Sequence, residues 1–285
     1  RCVLETVTSL FNVSHRLIAT SVLILLTAGC SSSLYSQQHD SAPAGEIDLQ
    51  RIGNAVPRAE PKSKYGNSAS YVVRGKRYYV MQDSRNFIER GVASWYGKKF
   101  HGHRTSSGET YDMYKMTAAH KNLPLPTYVE VRHLQNNRSI IVRVNDRGPF
   151  HDNRVIDLSF AAAKKLGITA QGTGVVEVRA IDPYEYHRKR QTANNAAPQQ
   201  VTTNATSNDY RLFLQVGAFV SRTNAEQLRS RLLPELGSHS INTGYSEEKN
   251  IYRVRIGPLT NVEQADQLAT RIAQLGFAEP HIVID

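Results

Sequence analysis

The sequence predicts a chain that is mainly β, with an α+β module at its C-terminal end, and three observations lead there. Between Gly91 and Leu158 the runs Gly91–Tyr96 and Ile140–Val144 are rich in β-branched and aromatic residues and are separated by Gly and Pro, which describes short strands joined by tight loops. Glu185–Asn208 has almost no large aliphatic residue and reads as a linker. Tyr210–Ile284 then runs strand, helix, strand twice over, a βαββαβ unit.

Taken in order, the chain begins with a candidate export signal. His15 and Arg16 precede the apolar run Leu17–Ala28, too short to span a bilayer as a mature helix, and Ala28-Gly29 lead directly to Cys30. Residues 1–29 are therefore expected to be a signal peptide. A cysteine placed directly after small residues resembles a bacterial lipobox, although Thr27 stands where an aliphatic residue is more usual; an ordinary signal peptide with an incidental cysteine is the alternative. The resemblance implies that Cys30 carries acyl chains such as palmitate. Each CH₂ buried in the bilayer would contribute about 0.8 kcal/mol to anchoring. Ser31, rather than Asp, follows the cysteine, which by the sorting rule of such lipoproteins implies the outer membrane. Cys2 and Cys30 are the two cysteines of the chain, so the folded part holds no internal disulfide.

Residues 30–62 lack periodicity and read as a flexible tether. Within 63–90, a Gly-Lys turn between Tyr71–Arg74 and Arg77–Met81 predicts a hairpin leading into the barrel; its tyrosines suit either a packed sheet face or a sugar-stacking surface. The barrel is expected over 91–183 and ends on a strand at Gly174–Ile181. Before that strand, Asp157-Leu158-Ser159 and then FAAAKKLG describe a short capped helix that stops at Gly167. Asp157 is expected to be a cap or a structural partner rather than a catalyst. The linker spans 184–208, and the βαββαβ module spans 209–285.

Charge separates the two modules. Residues 91–180 carry 13 Lys and Arg against 7 Asp and Glu, net +6, whereas 209–285 carry 8 against 9, net −1. A βαββαβ module that binds RNA needs a basic face, so a nucleic-acid partner is not expected.

The candidate chemistry gathers on loops beside strands, where a barrel presents its active site. Glu109 follows the Ser106-Ser107-Gly108 turn, where a glutamate can be partly desolvated and serve as a general acid, or can form a surface salt bridge. Asp146 sits in Asn145-Asp146-Arg147-Gly148-Pro149, either as a second carboxylate or as an acceptor for turn amides. His120 either orients substrate or tunes the Glu109 proton. His101, His103, His151 and Asp152 lack the spacing of a metal site, and Ser106 and Ser107 lack an Asp-His arrangement; no metal and no cofactor are expected. Trp95 and Tyr96 either stack on sugars or pack in the barrel.

Four segments, ASWYG at Ala93–Gly97, RTSSGE at Arg104–Glu109, TAAHK at Thr117–Lys121 and VNDRGPF at Val144–Phe150, resemble in this order the rare lipoprotein A family. That resemblance implies a six-stranded double-psi β-barrel and a lyase, an endolytic lytic transglycosylase that cleaves peptidoglycan glycan strands lacking stem peptides, with Glu109, His120 and Asp146 as its catalytic positions. LQVGAF at Leu214–Phe219 and YRVRIGPL at Tyr252–Leu259 resemble the sporulation-related repeat (SPOR) domain, ferredoxin-like in topology, which binds septal glycans without stem peptides. Strand parity puts Phe213, Gln215, Gly217, Arg253 and Arg255 on the open sheet face. There Arg253 and Arg255, with Gln215, can hold the lactyl carboxylates of bare glycan. The implied protein is an outer-membrane lipoprotein facing the periplasm and enriched at the division septum, with divisome proteins as possible partners. The alternative is a non-catalytic glycan-binding scaffold.

Overall fold

The structure is a computed structural model that describes residues 41–43, 48–195, 210–237 and 239–285. The expected leader, Cys30 and the start of the tether lie outside the described residues.

The hairpin forms as expected, with β1 at Ser70–Val73 and β2 at Lys76–Tyr79. Six strands follow and close into a barrel: β3 (Ile88–Tyr96), β4 (Thr117–His120), β5 (Thr127–His133), β6 (Ser139–Asp146), β7 (Arg154–Ser159) and β8 (Gly174–Ala180). Their order around the barrel is β3-β7-β4-β6-β5-β8. β3 runs parallel to β7 and β4 parallel to β6, and the remaining neighbours are antiparallel. Alternate residues fill the interior, among them Ala118, Val129, Val142, Val144, Ile156, Leu158, Val176 and Val178, so their neighbours on each strand face outward.

Helix α1 (Phe160–Leu166) leaves β7 directly. Its cap is Ser159 and not Asp157: Ser159 Oγ accepts from the Ala162 amide at 3.2 Å, and Gly167 ends the helix at φ 86°. Asp157 lies two residues earlier, on the strand.

Two stretches differ from their sequence reading. Part of the expected tether is a strap bound to the barrel: Ile52 and Ala55 pack on the barrel core, the Ala55 amide donates to Ile141 O at 3.0 Å, and the Ser63 amide donates to Leu125 O at 2.8 Å. Two apolar residues and a few main-chain bonds suffice to hold an extended segment without periodicity. The first half of the expected linker forms helix α2 (Pro183–Asn195). Asp182 Oδ1 accepts from the Tyr184 amide at 2.8 Å, Pro183 opens the helix, and Glu185 pairs with Arg188 and Lys189. Caps and i,i+4 pairs thus supply what an apolar face does not.

The C-terminal module comprises β9 (Leu212–Phe219), α3 (Arg222–Leu236), β10 (Ile241–Ser246), β11 (Ile251–Leu259), α4 (Val262–Gln274) and β12 (His281–Ile284). The antiparallel sheet has the order β10-β11-β9-β12. Leu212, Leu214, Val254 and Ile256 bury against Ala225, Leu232, Leu268 and Ile272 of the helices. Val92, Leu134 and Val175 of the barrel join this core, and the Ile282 amide donates to Asn153 Oδ1 at 3.2 Å.

Candidate active site

Glu109 follows Gly108, whose φ of 90° is open to glycine without strain. Its carboxylate is half-exposed rather than desolvated. Arg143 Nη1 donates to Oε1 at 2.8 Å and to Oε2 at 2.9 Å, and Asn145 Nδ2 donates to Oε2 at 2.8 Å. On its other edge Arg143 meets the strap: Nη2 lies 2.8 Å and Nε 3.1 Å from the Glu60 oxygens, and Tyr128 Oη donates to Glu60 at 2.5 Å. Burial works to lower the Arg143 pKa, but the bonds to Glu60 and Glu109 outweigh it and hold the guanidinium above its ordinary value. Strap and barrel together enclose a cleft of about 750 Å³ lined by Ile52, Val56, Glu109, Tyr114, Tyr128 and Arg143.

Asp146 ends β6. Its Oδ1 accepts from the Ser106 amide at 2.8 Å, Ser106 Oγ at 2.7 Å and the Arg147 amide at 2.7 Å. The aspartate therefore bonds turn amides, and in doing so ties the Ser106–Glu109 loop to the Asn145–Arg147 loop. The Ser107 amide donates to Asn145 O at 3.3 Å across the same junction. Asn145 thus reaches Glu109 with its side chain, and its neighbour Asp146 holds the base of the Glu109 loop.

His120 belongs to a different set of contacts. Its buried ring accepts at Nδ1 from the amides of Asn122 and Leu123, both at 3.1 Å, so Nε2 carries the hydrogen and donates to Glu89 Oε2 at 3.2 Å. Phe87 packs edge-on against it. The ring faces Glu89, not the Glu109 carboxylate. Its main chain does connect with the site: Arg147 Nη1 donates to His120 O at 3.1 Å and to Leu123 O at 2.6 Å, while Nε and Nη2 donate to Gly66 O of the strap. Burial lowers the Arg147 pKa.

The sequence assigns no role to Arg143, Asn145 or Arg147, although the last two flank Asp146 in its motif. Alternation along Ile140-Ile141-Val142-Arg143-Val144 was the available signal, since it points Arg143 away from the core. Trp95 is partly buried against Phe160, and Tyr96 stacks on Tyr111 with ring centroids 4.2 Å apart; both pack.

In the C-terminal module Gln215 and Arg255 are register partners, with His281 on the other side of Gln215. Arg255 Nη1 donates to Asp285 Oδ2 at 2.6 Å, and its guanidinium lies 5.8 Å from the Phe213 ring centroid. Arg253 lies two residues away on the same face of β11. Gly217 does not share this face: a bulge between Val254 and Arg255 reverses the parity, and a Cβ on Gly217 would meet Leu228 of α3 at 2.8 Å.

Residues 88–180 match the lytic transglycolase family and residues 208–283 the SPOR domain. The chain is 40% identical over 266 residues to the endolytic peptidoglycan transglycosylase RlpA of Vibrio cholerae, covering 92% of this chain and 95% of that protein. It is 40% identical over 295 residues to the RlpA of Pseudomonas aeruginosa, covering 87% and 86%, and 42% identical over 214 residues to that of Neisseria meningitidis, covering 74% and 82%. On the strength of the closed six-stranded barrel, the SPOR module behind it and these matches along most of its length, the chain belongs to the rare lipoprotein A (RlpA) family.

Proposed function

We propose that this protein is an endolytic lytic transglycosylase that cleaves peptidoglycan glycan strands lacking stem peptides and leaves 1,6-anhydromuramic ends. The observation that carries the reading is the join between two carboxylates: Asn145 donates to Glu109 while the adjacent Asp146 anchors the Glu109 loop through Ser106. Cleavage of a β-1,4 glycosidic bond passes through a state with positive charge near C1. Carboxylates already satisfied by fixed donors meet that charge without reorganising. Glu109, half-exposed in its cleft, and Asp146 are the groups for this role. His120 acts through position: its ring fixes the Asn122–Leu123 turn, and its carbonyl receives Arg147, whose amide bonds Asp146. In this reaction the 6-hydroxyl of the muramic sugar attacks C1, so no water enters. A single acid/base that gives a proton to the leaving oxygen and takes back the hydroxyl proton balances the chemistry.

The SPOR module supplies binding. Arg255 already holds one carboxylate, that of Asp285, beside Gln215, which supports a lactyl carboxylate as the ligand of this face and a septum rich in bare glycan as its target. The Cys30 motif supports a lipid anchor in the outer membrane, with the folded part in the periplasm. A Cys30→Ala variant that still fractionates with the outer membrane would place the anchor elsewhere.

Digestion of peptide-free glycan strands followed by mass analysis of the ends tests the function. Anhydro ends establish the enzyme, reducing ends mean a hydrolase, and intact strands with retained binding mean a glycan-binding scaffold.

A further inference from the structure

The SPOR module covers a patch of the barrel that is apolar on its outward side. Val92 of β3 and Val175 of β8 are register partners. Their neighbours Ala93 and Val176 fill the barrel core, so these two side chains face out. Leu134, whose amide donates to Val175 O at 2.9 Å, lies beside them. All three are nearly fully buried, packed into the core of the SPOR module. Strand β12 is an edge of the SPOR sheet, and Asn153 Oδ1 of the barrel caps that edge by accepting from the Ile282 amide. Asp266 of α4 lies within electrostatic reach of Arg154 and His151, and Glu279 within reach of Lys76. Apolar cover, a capped sheet edge and opposite charges thus hold the module on the barrel.

Docking brings the open SPOR face up to the hairpin of the barrel. Arg255, Gln215 and His281 are register partners across β11, β9 and β12, so a row runs from the Arg255 guanidinium to the exposed His281 on the barrel side. Its two ends are two strand spacings, or about 10 Å, apart at the backbone, close to the length of one disaccharide of a glycan strand. Beyond His281 stands Asp152, which is bonded to Lys76 of β2. Lys76, Lys121 and His281 gather around this one carboxylate and hold it below its ordinary pKa, the Lys76 bond foremost. The Lys76 side chain is 55% exposed, and its ammonium has three donors, of which Asp152 takes one. Lys121 instead fixes the loop, donating to His151 O at 3.1 Å and to Arg154 O at 2.7 Å. From Lys76 a chain of ring contacts leads to the candidate site. Lys76 lies over Tyr78, Tyr78 stacks on Tyr71, and Arg147, whose amide bonds Asp146, lies over Tyr71.

Resting on the glycan-binding reading of the SPOR face above, we propose that this junction is a further glycan subsite. Lys76 and His281 take the lactyl carboxylate one disaccharide along from the one that Arg255 holds, so a single bare strand is bound by both modules. The His281 ring donates an N–H in either protonation state, and Lys76 supplies a charge-assisted bond. A strand with stem peptides has no free lactyl carboxylate to offer at either end of the row. The docked module therefore does more than recruit: it sets which stretch of a bound strand lies along the hairpin toward Glu109 and Asp146. Two weak contacts on one strand bind more tightly than either alone, because the second forms at the effective concentration set by the first.

The test measures the affinity of the full chain for peptide-free strands several disaccharides long and for a single peptide-free disaccharide, which reaches one end of the row only. Lys76→Gln with His281→Ala is expected to weaken binding of the long strands about tenfold and to leave the disaccharide, held at Arg255, within about twofold of wild type. Val175→Asp touches no sugar and faces water once the module is released. It is expected to undock the module, seen as an extended chain by X-ray scattering, and to weaken the long strands to the same extent. Unchanged long-strand affinity in the double variant, or an equal loss on both ligands, overturns the junction subsite and leaves the SPOR face standing. Wild-type affinity in an extended Val175→Asp chain overturns the bridging; if that variant does not fold, the double variant decides. A wild type that binds neither ligand overturns the SPOR reading, and the junction subsite with it.

Discussion

Arg143 Nη1 bridges both oxygens of Glu109, at 2.8 and 2.9 Å, while the rest of its guanidinium is held by Glu60 from the strap ahead of the barrel. A residue well outside the matched barrel region 88–180 thus braces a residue inside it. Replacing Arg143 by Ala leaves two carboxylates facing a half-buried gap. Since Glu109 is 42% exposed, the cost is discounted from the buried-pair range to about 1–2 kcal/mol. Thermal unfolding of Arg143→Ala should show that drop together with loss of cleavage; unchanged melting and activity would remove the brace from the account.

Glu109→Gln keeps the shape and the bond from Asn145 but removes the charge that meets Arg143. Cleavage of bare strands should fall by about 10²-fold or more while strand binding is retained. Wild-type turnover in this variant would exclude Glu109 from the reaction.

The strap contact carries a pH signature. Burial works to raise the Glu60 carboxyl, but bonds from Arg143 and Tyr128 outweigh it and leave its pKa below the ordinary value. The unfolded chain therefore binds the Glu60 proton more readily than the folded chain. The stability contributed by Glu60 is present above the ordinary carboxylate value and is lost as pH falls through the lowered one. Melting curves should show Glu60→Gln flattening the acid side of the stability profile. A wild-type slope in that variant would mean that other carboxylates carry the dependence.

His120 is expected to report as a structural residue. His120→Ala leaves the Asn122 and Leu123 amides and Glu89 without their partner and opens space beside Phe87, a loss of about 2–4 kcal/mol. His120→Asn, which keeps an acceptor near the amides, should recover part of it. If His120→Ala melts like wild type yet does not cleave, the ring acts on the substrate instead.

On the SPOR face, charge-assisted bonds of about 1.5–3 kcal/mol each predict that Arg253→Ala with Arg255→Ala weakens binding to bare strands at least tenfold and spreads a fluorescent fusion around the cell. Gln215→Ala should do so more mildly. Asp285→Asn should tighten binding, because it frees Arg255 from an internal carboxylate. Septal enrichment that survives the double change would shift targeting to another surface or to a protein partner.

Elements whose signal is local could be read directly from the residues. Alternation located β9, β10 and β11, helical spacing with polar starts located α3 and α4, and Ser159 with Gly167 bounded α1, because period and capping act over a few residues. The same holds for the grouping of Glu109, His120 and Asp146 on loops beside strands. What those loops touch follows from the folded barrel. β4 is four residues long and β7 runs straight into a helix, so neither shows a period that sets it apart, and Asp157 reads as a helix cap until barrel closure sets it beside Ser94. Glu60 finds Arg143 from 83 positions away, and His120 turns to Glu89 because two amides claim its other nitrogen. A one-residue bulge put Gly217 on the helix side, since side-chain parity depends on register with a partner strand. Contacts of that range follow from which strands close the barrel, a global outcome of packing that the local pattern of residues does not contain.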